Sequence, residues 1–271
     1  MSMDRITLTF GMRANLFSLQ NTDKLMQLTQ TRLSTGKRVN TALDDPINFF
    51  AARGHQQRAD DLAFRKDDMG EAIQTIKAAD NGIDAITNLI ASAKSTAQSA
   101  LATTSTAERS ELAVQFNALL DQIDTLAEDS GYKGINFLSG DTLTVTFDAD
   151  GNSTLGITGF EANAASLGIV DAANDWTDSA DINAAITNLD SATDTLRTES
   201  KDLSNSLSTI TARQDFTEKM INTLEEGVAN LTNADLNEEG ANMLMLQTRQ
   251  ALGTTALSLA SQAAQGVLRL F

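Results

Sequence analysis

Residues 182–231 have the sequence INAAITNLDSATDTLRTESKDLSNSLSTITARQDFTEKMINTLEEGVANL. Two series of residues, most of them apolar, recur in it every seven positions. The first series is Ile182, Leu189, Leu196, Leu203, Ile210, Thr217, Leu224 and Leu231; the second is Ile186, Thr193, Ser200, Leu207, Gln214, Ile221 and Val228. Such a repeat is typical of a coiled-coil seam. It predicts a single helix, about 75 Å long at 1.5 Å per residue, that packs against other helices.

Two further stretches carry the same repeat. From Ile73 onward, one series is Ile76, Ile83, Ile90 and Ala97, and the other is Ala79, Ile86, Ala93 and Ala100. Residues 105–130 repeat it with Leu112, Phe116, Leu119, Ile123 and Leu126. For the helix at 105–130 we expect Thr106 as the N-cap and Gly131 as the residue at which the helix stops.

Both ends of the chain are also predicted to be helical. The N-terminal stripe is Met12, Leu16, Leu19, Met26 and Leu33. The C-terminal segment has one stripe of Leu252, Ala256, Leu259, Ala263 and Leu270, and a second of Leu246, Leu257, Ala260, Ala264, Val267 and Leu268. A helix that is apolar on two faces needs neighbours on two sides. We therefore expect the ends to need assembly partners and to be poorly ordered without them.

The middle of the chain has a different period. Leu143, Val145 and Phe147 alternate with threonines, the sequence DADGN follows at 148–152, and Leu155 and Ile157 come next. This pattern predicts a β-hairpin. A calcium loop is a weaker interpretation of DADGN, because the downstream glutamate is missing at the required spacing.

These patterns together predict a mainly α fold: a long antiparallel helical coiled coil or bundle with a small β-hairpin. Because the chain goes out along one axis and returns along it, its N- and C-terminal helices should be paired.

Composition narrows the possible functions. The chain has one proline and no cysteine among 271 residues, and its formal net charge is −16. Long uninterrupted helices are therefore possible, disulfides are excluded, and nucleic acid and anionic membranes are disfavoured as partners. The sequence shows neither a transmembrane span nor a cleaved signal peptide, so membrane insertion is not expected.

Nothing in the sequence predicts an enzyme. His55 is the single histidine, in a polar stretch, and no zinc, phosphate-binding or dinucleotide-binding motif occurs. We expect no catalytic residues, no cofactor and no metal. Asp45 and Pro46 are better interpreted as the N-cap and first residue of a helix. The preceding residues 35–40, TGKRVN, would by default be a solvated loop.

Six blocks of the sequence, in order, resemble bacterial flagellins. They are RLSTGKRVNTALDD at 32–45, ADNGIDAITNL at 79–89, LLDQIDTLAEDSGYKGINFLSG at 119–140, LTVTFDADGNSTLGITG at 143–159, AASLGI at 164–169 and NADLNEEGANMLMLQTRQALGTTALSLASQAAQGVLRLF at 233–271. The last block looks most like the short flagellins of alphaproteobacteria.

The resemblance implies a structural subunit that polymerises with copies of itself into the flagellar filament, the extracellular helical propeller of motility. It also implies export through the flagellar type III apparatus without a cleaved signal peptide. Further partners would be a flagellin chaperone and the filament cap and junction proteins. A hook–filament junction protein of the same export system is the alternative, and a helical signalling module is a more distant one.

The resemblance also assigns roles to segments. It implies an N-terminal inner-tube helix and linker at 1–42, outgoing core helices at 43–138, the hairpin and a short connection at 139–178, the returning core helix at 179–232, and a C-terminal inner-tube helix at 233–271. The residues that match are Leu16, Leu19, Met26, Leu33, Leu252, Ala256, Leu259, Ala263, Val267 and Leu270 for the inner tube; Arg32, Gly36, Lys37, Arg38 and Asn40 for the linker; Asp44 and Asp45 for the core start; and Val145, Phe147, Gly151, Leu155 and Ile157 for the hairpin associated with switching.

The sequence departs from the family in three places. Pro46 replaces a common alanine, Tyr132 opens a variant of the usual Phe-Asn-Gly, and only residues 170–178 stand where many members carry outer domains. The last departure predicts a thin filament with inner and outer tubes only. Ala91 and Ser95 stand where flagellins sensed by the animal innate-immune receptor carry contact residues, which predicts weak recognition.

Overall fold

The computed structural model describes residues 10–268 and confirms a mainly α-helical chain with one small sheet. The helices are α1 (Phe10–Thr35), α2 (Pro46–Ala102), α3 (Thr106–Asp129), α4 (Ser179–Thr232) and α5 (Leu236–Leu268). The strands β1 (Thr142–Thr146) and β2 (Thr154–Thr158) form the sheet, and a 3-10 turn spans Ala173–Trp176. No described helix is long and apolar enough to cross a membrane.

The chain divides into two compact units. Unit 1 contains the residues up to Gln57 together with those from Leu224 onward, and unit 2 contains Arg58–Thr223. Helices α2 and α4 contribute residues to both. Unit 1 therefore holds α1 and α5, whereas unit 2 holds α3 and the sheet.

The core of unit 2 follows the predicted repeats on α2. All eight residues of its two series are buried: Ile76, Ala79, Ile83, Ile86, Ile90, Ala93, Ala97 and Ala100. On α4 the first series is buried from Ile182 to Thr217, which confirms the long returning helix.

The second series on α4 is only half-buried at Ile186 and Leu207. Ala185 and Ala192, one residue earlier in the repeat, are buried instead. Alanine has little bulk, so its positions are those where a neighbouring helix can approach most closely. The larger side chains one position later lie at the edge of the interface.

Helix α3 agrees with its prediction in part: Phe116 and Ile123 are buried as expected, but the other buried positions come one residue later than predicted. Ala113, Leu120 and Ala127 are buried, while Leu112, Leu119 and Leu126 are only partly buried against the core. The predicted N-cap was wrong, because Ser105 is the N-cap and its Oγ accepts from the Glu108 amide at 3.5 Å. The helix ends at Asp129 with Ser130 as the C-cap, directly before Gly131, the predicted stop.

The predicted hairpin is confirmed. Its strands are antiparallel, with Val145 opposite Leu155 and Leu143 opposite Ile157. The turn is closed by the Asp148 carboxylate, which accepts from the amides of Asn152 at 3.2 Å and Ser153 at 3.1 Å. These bonds hold the pKa of Asp148 below its usual range.

Polar side chains of α3 form hydrogen bonds with the backbone of the connection that follows the hairpin. Asp124 accepts from the Ala164 amide at 2.7 Å, Asn117 accepts from the Ala172 amide at 2.8 Å, and Arg109 donates to the Thr177 carbonyl at 3.3 Å. These contacts run along one helix and keep an irregular segment in a single path.

Trp176 ends this connection inside the core of unit 2. Its ring is fully buried, and its centroid lies 4.8 Å from that of Phe116. Asn174, Asp175 and Trp176 are left-handed in succession, with φ of 49°, 50° and 53°. Such a conformation costs about 1–2 kcal/mol per residue. The burial of the indole compensates for this strain.

Candidate self-association surfaces

In unit 1 the two chain ends pair as antiparallel helices. Leu19 of α1 meets Gly253 of α5, and Arg32, further along α1, meets Glu239 near the start of α5. A Cβ at position 253 would lie 2.9 Å from Leu19 Cδ2, so glycine is what permits this approach. The predicted pairing of the N- and C-terminal helices is confirmed.

On α1 the residues buried in this pairing are partly polar. Met12, Thr22 and Thr29 are buried, and Leu19, Met26 and Leu33 of the predicted stripe are half-buried. Thr22 satisfies its hydroxyl within its own helix, donating to the Ser18 carbonyl at 2.9 Å. The predicted apolar stripe did not reveal the two threonines, which lie seven residues apart from one another on the buried face.

Of the two stripes predicted on α5, one faces α1 and the other does not. Leu246 is buried and Leu257 and Ala260 are half-buried. Leu252 and Leu259 of the other stripe are 67% and 61% exposed. Ala256 and Ala263 are exposed beside them. The side chain of Val267 and the whole of Leu270 lie outside the described residues.

Helix α1 also has an exposed apolar face. Leu16 is 39% exposed and Phe17, which the stripe prediction omitted, is 77% exposed. Leu43, Ile47 and Phe50 are further exposed residues of unit 1, at 95%, 83% and 62%. Their spacing of four and three was visible in the sequence. Apolar surface of this extent marks a site of protein contact.

The linker residues join α1 to the junction between α4 and α5. Gly36 has φ of +70° and ends α1, donating its amide to the Arg32 carbonyl at 2.8 Å. The amide of Arg38 donates to the Thr232 carbonyl at 2.7 Å, and that of Ala234 donates to the Gly36 carbonyl at 2.9 Å. Residues 36–40 therefore form a loop that backbone hydrogen bonds hold against the junction between α4 and α5.

The two aspartates at the core start organise the next turn. Asp44 accepts from the amides of Asn40 at 3.0 Å and Thr41 at 2.8 Å. Asp45 accepts from the Asn48 amide at 3.1 Å, and α2 begins at Pro46 as predicted. These backbone bonds lower the pKa of both carboxyl groups, because they stabilise the ionised form.

The hairpin lies in unit 2, and its residues differ in how deeply they are buried there. Val145, Phe147 and Ile157 are buried, Leu155 is half-buried, and Gly151 lies exposed in the turn. The guanidinium of Arg213 on α4 lies 5.2 Å from the centroid of the Phe147 ring, a cation–π contact that the sequence did not reveal.

A cavity of 370 Å³ lies between β1 and α2 in the same unit. At its edge the Lys133 ammonium lies 2.9 Å from the Glu71 carboxylate, which also accepts from the Tyr132 hydroxyl at 3.1 Å. This pairing lowers the pKa of Glu71 and raises that of Lys133. The charges are neutralised by one another.

Among the residues that the structure describes, no group of three or more His, Cys, Asp or Glu side chains could hold a metal ion. His55 is exposed on α2. The features that stand out are apolar surfaces on paired terminal helices.

Such surfaces define a class: subunits of helical polymers, whose terminal helices bury one face within the chain and keep another for neighbouring copies. Two family models match the chain, the bacterial flagellin N-terminal helical region over residues 10–142 and the C-terminal helical region over residues 180–271.

Individual relatives agree with these matches. Flagellin FljK and flagellin FljM of Caulobacter vibrioides are 29% and 30% identical to this chain, in alignments that cover 100% of this chain and 100% of each relative. A flagellin of Brucella melitensis is 27% identical over 94% of this chain and 95% of its own.

The chain belongs to the bacterial flagellin family, and it is a structural subunit of the flagellar filament. The relatives named above are all flagellins, and no feature of the described residues favours the alternative role of a hook–filament junction protein.

Proposed function

We propose that the outward faces of α1 and α5 are the surfaces through which one subunit joins the next in the inner tube of the filament. The observation that carries this proposal is the exposure of Leu252 and Leu259, which lie on the face of α5 turned away from α1. Leu16, Ala256, Ala263, Val267 and Leu270 belong to the same proposed set. Leu19, Met26 and Leu33 would set the spacing of the helix pair that carries it.

Energetics support this assignment. Burying one leucine side chain contributes about 1.5–3 kcal/mol relative to leaving it in water. Two leucines per subunit would thus contribute about 3–6 kcal/mol to each contact in the polymer. A single pair of terminal helices gains none of this free energy, and for that reason we propose that the ends at 1–40 and 233–271 fold only in the polymer.

The test is seeded elongation of purified chain by filament fragments. The double variant Leu252→Ser/Leu259→Ser should fail to elongate seeds at concentrations where the wild type does, while keeping the helix content of unit 2. Val114→Ser is the matched control, since Val114 is a 65% exposed apolar residue of α3. Elongation by the double variant at the wild-type rate would refute the assignment.

We also propose that the outer tube consists of the core at 43–138 and 179–232 with the hairpin and short connection at 139–178, a region that includes all of unit 2. Residues 170–178 form only the short connection that ends at Trp176, which supports a thin filament with inner and outer tubes. The diameter of negatively stained filaments is the measurement, and density beyond a second radial layer would contradict it.

The hairpin is proposed as the element whose packing selects between the two subunit arrangements of a curved filament. Phe147 connects it to α4 through Arg213, so Phe147→Leu should alter filament curvature without preventing assembly. Thr144→Ser, an exposed position on β1, is the control. Filaments of unchanged helical form in the Phe147 variant would exclude this role.

Export completes the proposal. The chain would leave the cell through the flagellar export apparatus with a chaperone, pass the junction proteins, and add beneath the filament cap without losing a signal peptide. The intact mass of subunits recovered from sheared filaments tests this. A mass that lacks an N-terminal segment would show cleavage.

A further inference from the structure

A groove in unit 1 combines an apolar floor with a cationic rim. It has a volume of 270 Å³ and lies between the linker, the first turns of α2 and the end of α4. Val39 and Ala52 are each 4% exposed at its floor, beside Phe49 and Val228. Lys37 and Arg53 stand at its rim, both exposed.

These two cations have no carboxylate partner within 4 Å among the described residues. Their segment differs in charge from the chain that follows it: residues 32–58 contain five Lys or Arg and two Asp or Glu, whereas residues 59–271 contain 12 and 32. A chain of net charge −16 thus keeps a basic rim around one of its grooves. The complementary charge is abundant on the same chain outside this segment.

We propose that this groove binds an acidic segment of a second copy of the chain. A carboxylate of the neighbouring copy would pair with the guanidinium of Arg53, whose fork geometry suits bidentate pairing, and with the ammonium of Lys37. An aliphatic side chain next to that carboxylate would cover Phe49 and Val228, which are only half-buried beside Val39 and Ala52. The inference rests on the proposed self-assembly and names a contact within it that is separate from the outward faces of α1 and α5.

A second copy is the occupant that the charges favour. A small inorganic anion would pair with the rim and leave the exposed parts of Phe49 and Val228, both only half-buried, in water. A segment of chain satisfies both parts, and in a polymer each subunit has acidic copies of itself beside it. Opposite charges at such a contact accelerate association and fix its register.

Direct contact can be tested by carbodiimide cross-linking, which joins an amine to a carboxylate that touches it. Filaments assembled from a mixture of unlabelled and ¹⁵N-labelled wild-type chain should yield Lys37 linked to an Asp or Glu of the other isotope. Lys133 and Glu71 provide the positive control, because their 2.9 Å pair should cross-link within one chain. Recovery of the control without Lys37, or with Lys37 linked only within its own chain, would overturn the inference.

Charge reversal provides a second, independent test. Lys37→Glu/Arg53→Glu should slow seeded elongation about tenfold at low ionic strength, where electrostatic steering is strongest. Lys201→Glu/Lys219→Glu reverses two exposed cations of α4 in unit 2 and should stay within about twofold of the wild type. The neutral variant Lys37→Gln/Arg53→Gln should elongate with a weaker dependence on salt than the wild type.

The outcomes separate this inference from the proposed assembly surfaces. If the wild type elongates and the groove variants elongate equally well with the same salt dependence, the groove inference is wrong and the terminal-helix proposal stands. If the wild type does not elongate seeds at all, the proposed function itself fails. Binding of the groove to an unrelated acidic peptide but not to a second copy, shown by Lys37 cross-links to that peptide only, would also overturn the inference.

Discussion

Arg32 Nη1 lies 2.8 Å from Glu239 Oε1 and joins the last turns of α1 to the first turns of α5. The Glu239 side chain is only 9% exposed and that of Arg32 is 27% exposed. The carboxylate also sits near the N-terminus of α5, where the helix dipole favours negative charge. This ion pair connects two residues 207 positions apart and fixes the register between the chain ends.

Removal of one partner should weaken assembly. In Arg32→Ala the shielded Glu239 carboxylate loses its donor, which we expect to cost about 2 kcal/mol. If the ends order on assembly, the critical concentration for filament growth rises by about 30-fold. Arg197→Ala is the control, because the Arg197–Asp194 pair is 69% and 77% exposed and should contribute little. An unchanged critical concentration in the Arg32 variant would show that the pair is dispensable.

The close approach at Gly253 predicts a compensating pair of substitutions. Gly253→Val should crowd Leu19, whose Cγ would lie 3.0 Å from the new Cβ, and cost about 1–3 kcal/mol. Adding Leu19→Ala should restore part of the loss by making room. Gly240→Ala, also on α5 but with open space around it, should instead gain about 1 kcal/mol from helix propensity. Critical concentrations measure all three, and a Gly253 variant that assembles better than wild type would disprove the crowding.

Trp176 should stabilise unit 2 mainly through its ring. Trp176→Ala removes the buried indole from Phe116 and should cost about 3–5 kcal/mol. Trp176→Phe should cost much less, because the indole N–H is buried without an acceptor among the described residues and phenylalanine removes that donor. Urea unfolding of the full chain followed by circular dichroism gives both values. Equal losses of stability in Trp176→Ala and Trp176→Phe would mean that the buried aromatic ring does not account for the stabilisation.

Acid should loosen the start of α2 selectively. The pKa values of Asp44 and Asp45 are lowered in the folded chain by the amides they accept from. A lowered folded pKa contributes stability that is present above the unfolded value and is lost as the pH falls through the folded one. Amide hydrogen exchange at Thr41 and Asn48 should therefore accelerate as the pH drops below about 4, beyond the intrinsic trend. In Asp44→Asn/Asp45→Asn this additional pH dependence should vanish, and its persistence would point to other groups.

Much of the fold could be predicted because the apolar positions of a heptad repeat are those that a helix buries against its neighbours. The series containing Ile76 and Ile182 identified the helices and their buried faces, and the alternation around Val145 identified the hairpin. The predictions erred where small residues decide the contact. Leucines at positions 112 and 119 appeared central, yet Ala113 and its repeats lie inside, because a helix surface is contacted where its neighbours can come nearest.

The candidate surfaces were predicted less completely. The sequence revealed both apolar stripes of α5, but its periodicity does not determine which of the two packs against α1. Gly253 settles that choice, since its missing side chain admits Leu19. The Phe147–Arg213 and Arg32–Glu239 contacts join residues far apart along the chain, and their pairing has no local signature.

The sequence by itself determined the helices, the hairpin, the pairing of the chain ends and membership of a filament-forming family, because each is encoded in local periodicity or in contiguous motifs. Only the tertiary structure decided which faces remain for other copies. Exposure depends on what lies across each interface, and for α1, α5 and the Lys37–Arg53 groove those neighbours come from distant parts of the chain.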